Sequence, residues 1–179
     1  QLPILNPLTE DQSVMRTSLI PGLLETMRRN LAFQSRSLKL FEVGHTFISR
    51  GCDEQPEELD ILAGLWTGDR FAGGWFDKAP ACDFYDLKGA VESLLQTLHI
   101  GDAQFRRLPA EQCTYTRPGA SAQIVLADQV LGLIGEVHPL VLDSYELKQS
   151  AFIFELNLAG LMAQIPAGIT SRPLPKYPA

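Results

Sequence analysis

The chain has 179 residues, 45% of them hydrophobic and 20% charged, enough for one packed domain and the balance of a soluble globular protein rather than a disordered or fibrous one. A net charge of −6 and an isoelectric point of about 5.0 weigh against broad nucleic-acid binding, which draws on clustered Lys and Arg. No run approaches the ~18 to 20 apolar residues of a membrane span, the N-terminus lacks a signal pattern, and Cys52, Cys82 and Cys113 are too far apart for a close zinc pair and odd in number for a disulfide framework. The expectation is a cytoplasmic protein with reduced, mostly buried thiols.

In chain order, Thr9 and Gln12 have the types and spacing of a capping box around a short turn. Pro21 suits the first position of a helix. Leu23, Leu24, Met27 and Leu31 follow at helical spacing with Glu25, Arg28 and Arg29 opposite, which predicts an amphipathic helix over about 21–34. The β-formers of 38–48 and 59–66 flank a polar stretch and predict two strands joined by a loop. Residues 69–81, with Gly73, Gly74 and Pro80, read as a loop anchored by Trp75 and Phe76.

Asp83 is placed to cap a helix in which Phe84, Leu87, Val91, Leu94, Leu95 and Leu98 share a face, ending before Gly101. Strands are predicted over 104–108 and 122–126, and Ala127-Asp128-Gln129 reads as a tight connection from the second into 130–137. A short helix over 139–147 precedes a final strand in which Phe152, Phe154, Leu156 and Leu158 alternate, leading into 159–163. With strands and helices mixed and no βαβ repeat, the fold class is α+β: an antiparallel β-sheet flanked by helices.

The sequence has no phosphate loop, no nucleophile elbow and no zinc-protease helix. His45, His99 and His138 are scattered, and a lone His lacks the second titratable group that acid–base chemistry needs. Glu42 and Glu155 are carboxylates in apolar strands, where a charge is costly without a partner. Either they act as acids or they lie on a solvated face or pair with an arginine such as Arg16 or Arg117. Trp75 and Phe76 could stack on a base or anchor their loop, while Arg28 and Arg29 read as a solvated helix face.

Five landmarks then fall in order: Asn6 to Glu10 with Met15 to Leu24, Leu40 to Gly44, Asp83 to Gly89, Gly132 to Pro139, and Phe154 to Leu156. Together they resemble the catalytic-like module of the phenylalanyl-tRNA synthetase beta subunit of bacteria. The resemblance implies a class II aminoacyl-tRNA synthetase-like fold over 1–170 and, over 171–179, a linker toward an anticodon-binding domain, so that the chain would be a segment of a longer polypeptide. It also implies a comparison with the active alpha subunit. There, an arginine that grips ATP phosphate corresponds to Ile48, with Arg50 two residues on, and a second arginine corresponds to Gly160, after Glu155 and Asn157 in place of two glycines. A guanidinium is a fixed, always-charged fork that nothing at Gly160 replaces.

The implied role is therefore a non-catalytic module that binds no cofactor itself and packs against the alpha subunit in an (αβ)2 assembly, which uses ATP and magnesium to charge tRNA(Phe) with phenylalanine. Leu19, Ile20, Leu23 and Leu24, in the region class II enzymes use for pairing, are candidates for interface or core. Two other readings are a degenerate synthetase fold that keeps a small-molecule or nucleotide pocket near Arg16, Arg50 and Arg117, and a free-standing paralogue with a new activity.

Overall fold

Pro21 has no amide proton to leave unsatisfied in a first helical turn, and helix α1 runs Ile20–Ala32. It stops two residues short of the predicted end, where Phe33 takes the C-cap and Gln34 a left-handed φ of 66°. Beyond it come strands β1 (Leu38–Ile48) and β2 (Glu57–Thr67), paired antiparallel from Leu38↔Thr67 to Ile48↔Glu57. Helix α2 (Phe84–Thr97) begins at a capping box: Asp83 accepts from the amides of Tyr85 and Asp86, and the Asp86 carboxylate accepts from the Asp83 amide. His99, at φ 57°, takes the left-handed position after this helix, ahead of the glycine expected to end it.

The rest follows as β3 (Gln104–Arg107), β4 (Thr116–Leu126), β5 (Gln129–Val137), α3 (Pro139–Ser144), β6 (Ala151–Asn157) and α4 (Leu158–Ala163). The six strands form one sheet in the order β1-β2-β6-β5-β4-β3, every neighbouring pair antiparallel. Ala127 and Asp128, both at positive φ, make the two-residue turn of the β4–β5 hairpin. Described here are residues 2–4, 6–7, 13–51, 54–71, 75, 79–101 and 103–168 of the computed structural model. The Thr9–Gln12 turn, Cys52, the Gly73–Gly74 pair, Phe76 and the 171–179 linker lie outside them.

Three sequence expectations are corrected. β4 starts six residues earlier than predicted, because Pro118 and Gly119, poor strand residues, fall where the register against β5 breaks between Thr116 and Ser121. β6 is buried on both faces, with Ala151 and Ile153 as enclosed as Leu156, since it sits inside the sheet with helices on either side. Its apolar run ends at Asn157, and Leu158 belongs to α4. Trp75, expected as a packed loop anchor, is instead 97% exposed.

Each face of the sheet carries its own core. α1 lays Leu19, Ile20, Leu23, Leu24 and Met27 against Ala63, Leu65, Val137, Ala151 and Ile153. α2 and α4 lay Leu87, Val91, Leu95 and Leu161 against Ile124, Leu131, Ile134, Phe152 and Leu156 on the other. Cys82 and Cys113 are free and buried. Burial, then the negative charge of Asp86, pushes the Cys82 thiol up to about 11.

Candidate functional site

The segment that leads into α1 is pinned to the sheet at both ends by the two strand carboxylates. Glu42 of β1 and Glu155 of β6 are each paired in register with Ala63 of the intervening β2, which puts both side chains on one face, two strands apart. Arg16 donates from Nη1 to Glu42 Oε1 at 2.6 Å and from Nε to the His45 carbonyl at 2.8 Å, and its own carbonyl accepts from the Phe47 amide. Two residues further on, Ser18 Oγ donates to Glu155 Oε1 at 2.7 Å and the Leu19 amide donates to the same oxygen at 2.9 Å.

The other Glu155 oxygen accepts from the Tyr115 hydroxyl at 2.7 Å. Burial first, and the Glu155 charge second, push the Tyr115 phenol well above its usual range, so it stays a proton donor. The positive end of the α1 dipole lies at the same point. Glu42 thus meets the expected arginine; Glu155 does not, and takes three neutral donors instead. Ser18 and Tyr115 were not singled out from the sequence. They lie 137 and 40 residues from Glu155, and a hydroxyl carries no charge by which to match it to a carboxylate.

At the positions the resemblance assigns to phosphate, no free cation is seen. Ile48 ends β1 as a half-exposed apolar side chain, and Arg50 pairs with Glu57 at 3.2 Å. Gly160 lies in the first turn of α4, where its amide donates to Asn157 Oδ1 at 2.7 Å. Arg117 pairs with Glu136 at 3.2 Å. Arg16, Arg50 and Arg117 therefore each hold a different carboxylate of the chain and do not converge. A cleft of about 570 Å³ lies toward the opposite edge of the sheet, between Phe84, Tyr85, Phe105, Arg107 and residues 119–122, and includes none of these three arginines. The histidines are structural or on the surface: His45 meets Asp60 and Glu58 across the β1–β2 ladder, and His138 Nδ1 accepts from the Leu140 amide at the start of α3.

Leu19, Ile20, Leu23 and Leu24 are between 1 and 4% exposed and belong to the core of the chain itself. α1 presses this side onto β2 and β6. Large apolar side chains are open elsewhere. Phe33 just after α1 is 86% exposed, and Phe41 and Val43 on the outward side of β1 are 77% and 57% exposed. β1 is an edge strand. In the next strand Phe41 is paired with Gly64, where a Cβ would come within 2.3 Å of the Phe154 ring. Glycine there lets that ring lie over β2, beside Phe41 in the sheet.

This six-stranded antiparallel sheet with its helices is the fold of the class II aminoacyl-tRNA synthetases. A pyrrolysyl-tRNA synthetase from Desulfitobacterium hafniense superposes with a TM-score of 0.60 at 15% identity, over 82% of this chain and 48% of its own. A second structure of that enzyme gives 0.62 at 14%, over 88% and 51%. Residues 1–158 match the family model of the phenylalanyl tRNA synthetase beta chain CLM domain, and the chain belongs to that family. It is 41% identical, over 98% of its length, to the phenylalanine–tRNA ligase beta subunit of Carboxydothermus hydrogenoformans, and 38% identical over 97% to that of Geobacter sulfurreducens. The Staphylococcus aureus subunit is 35% identical over 99%. The chain spans 21 to 22% of the length of these relatives.

Proposed function

We propose that this chain is the non-catalytic, catalytic-like module of a phenylalanine–tRNA ligase beta subunit and that it serves by packing against the alpha subunit of a cytoplasmic (αβ)2 enzyme. In that assembly the alpha subunit binds ATP and magnesium and attaches phenylalanine to tRNA(Phe). The observation that carries the docking role is the apolar outward side of β1, where Phe41 and Val43 stand on an edge strand. An exposed apolar face of this kind marks an interaction surface, and a long edge strand is an aggregation risk where it is left uncovered. The relatives are named as beta subunits, so a partner subunit is the fitting occupant. An obligate pair of this kind buries on the order of 2,000 Å² or more.

Support for the non-catalytic half of the reading comes from Ile48 and Gly160, which offer no charge to a phosphate, and from the commitment of Arg50 to Glu57. The test uses the full-length beta subunit carrying Phe41→Asp and Val43→Asp, co-purified with the alpha subunit. Association at least tenfold weaker than in the parent is the expected result. Unchanged association would remove this face from the interface. Titration of ATP and magnesium into the parent beta subunit alone is expected to give no binding, and saturable binding lost in Arg50→Ala would restore the ligand-pocket reading.

A further inference from the structure

The carboxylate of Glu155 is held in the way a protein holds a bound acid. Its three donors come from two separate places: the adjoining Ser18 hydroxyl and Leu19 amide at the start of α1, and the Tyr115 hydroxyl before β4. Both oxygens are engaged, one by two donors and the other by one. None of the donors is a cation, so recognition rests on hydrogen bonds aimed at one point and on the positive end of a helix of 13 residues. Glu155, Ser18 and Tyr115 are themselves half-buried, and the residues around them are apolar. Ala63, beside Glu155 in the sheet, and Ile153, two residues before it on the same face, are fully buried, and Leu19 is only 1% exposed.

Nothing in this donor set requires that the acid be tethered. We propose that Ser18, the Leu19 amide and Tyr115 form a binding site for a small monocarboxylate, which the chain keeps filled with its own Glu155. The module is then self-liganded on the face where α1 meets β6. In the parent protein no external acid enters, because the tethered group is always present at high effective concentration. Shortening residue 155 to alanine removes the carboxylate and leaves the donors, with space for formate or acetate. The inference stands on these contacts and holds whichever partner the module has.

The probe is sodium formate, and the readout is hydrogen exchange of the peptide containing the Leu19 amide, in the full-length subunit carrying Glu155→Ala. Exchange there is expected to be faster than in the parent. Formate should slow it saturably, by about tenfold at ten times the dissociation constant, while sodium chloride at equal ionic strength should not. The parent should not respond, and adding Tyr115→Phe should weaken or abolish the response. Glu155→Gln, which keeps the bulk of the side chain in place, should also be blind to formate. The proposal is overturned if formate and chloride act alike on Glu155→Ala, or if parent and variant respond equally. Should Glu155→Ala fail to fold, its recovery on refolding becomes the readout: recovery with formate but not with chloride supports the site, and equal failure in both rejects it.

Discussion

The two faces of the β1-β2-β6 half of the sheet are finished in opposite ways. On the α1 face both strand carboxylates meet partners from the chain: Glu42 has Arg16, and Glu155 has Ser18, Leu19 and Tyr115. The apolar residues between them are closed over by α1. On the opposite face of β1 nothing among the described residues covers Phe41 or Val43, which are 77% and 57% exposed. The α1 face is filled from within, and the outward side of β1 leaves Phe41 and Val43 open.

That contrast breaks first at the α1 core. Leu24→Ala, at a side chain only 1% exposed, is expected to destabilise the module by about 2 to 5 kcal/mol through lost transfer energy and a residual cavity. Denaturant unfolding of the full-length subunit, with hydrogen exchange to locate the change, measures it. A cost below about 1 kcal/mol would place Leu24 at an interface that the isolated chain closes only loosely. Tyr115→Phe tests the polar half of the same face. It removes one of three donors from a partly buried carboxylate, with an expected cost of about 1 to 3 kcal/mol, and an unchanged stability would mean that Glu155 is solvated rather than bound.

Much of this architecture could be read from the sequence, for local reasons. β1 was predicted with its observed ends, because it is bounded by polar residues on both sides and does not depend on distant packing. The α2 cap was legible at Asp83, an acidic residue directly before a helical apolar face, while the return bond from Asp86 came from the structure. The failures are non-local. Pro118 and Gly119 argue against a strand until β5 is seen to skip register opposite them, and β6 looks half-buried until helices are placed on both sides of it. At the candidate site the same division holds. The missing phosphate arginines were visible as Ile48 and Gly160, whereas the three donors to Glu155 come together only once β4, β6 and α1 have been assembled.

The open face should respond differently. Phe41→Ser removes a large apolar side chain that the chain itself hardly touches, so stability should stay within about 0.5 kcal/mol of the parent while association with the alpha subunit falls. A stability loss comparable to that of Leu24→Ala would mean that Phe41 is part of the core and would erase the distinction between the two faces.

The smallest expected effect lies on the solvent side of α1 and uses the helix as its own control. Glu25 bonds to Arg28 at 2.8 Å and to Arg29 at 3.1 Å, and these guanidiniums, Arg28 foremost, hold its carboxyl well below the ordinary 4.5, at about 2. A carboxylate lowered in the folded state contributes stability that is fully present above its ordinary value and fades as the folded group itself takes up a proton. The advantage of the parent over Glu25→Gln should therefore be constant at neutral pH, shrink as pH falls from about 4.5 toward about 2, and shrink likewise in high salt, which screens exposed pairs. Melting temperatures of the two proteins, compared at pH 6 and at low pH, decide it. A difference that does not change with pH would show that Glu25 acts through its packing on the helix surface and not through its charge.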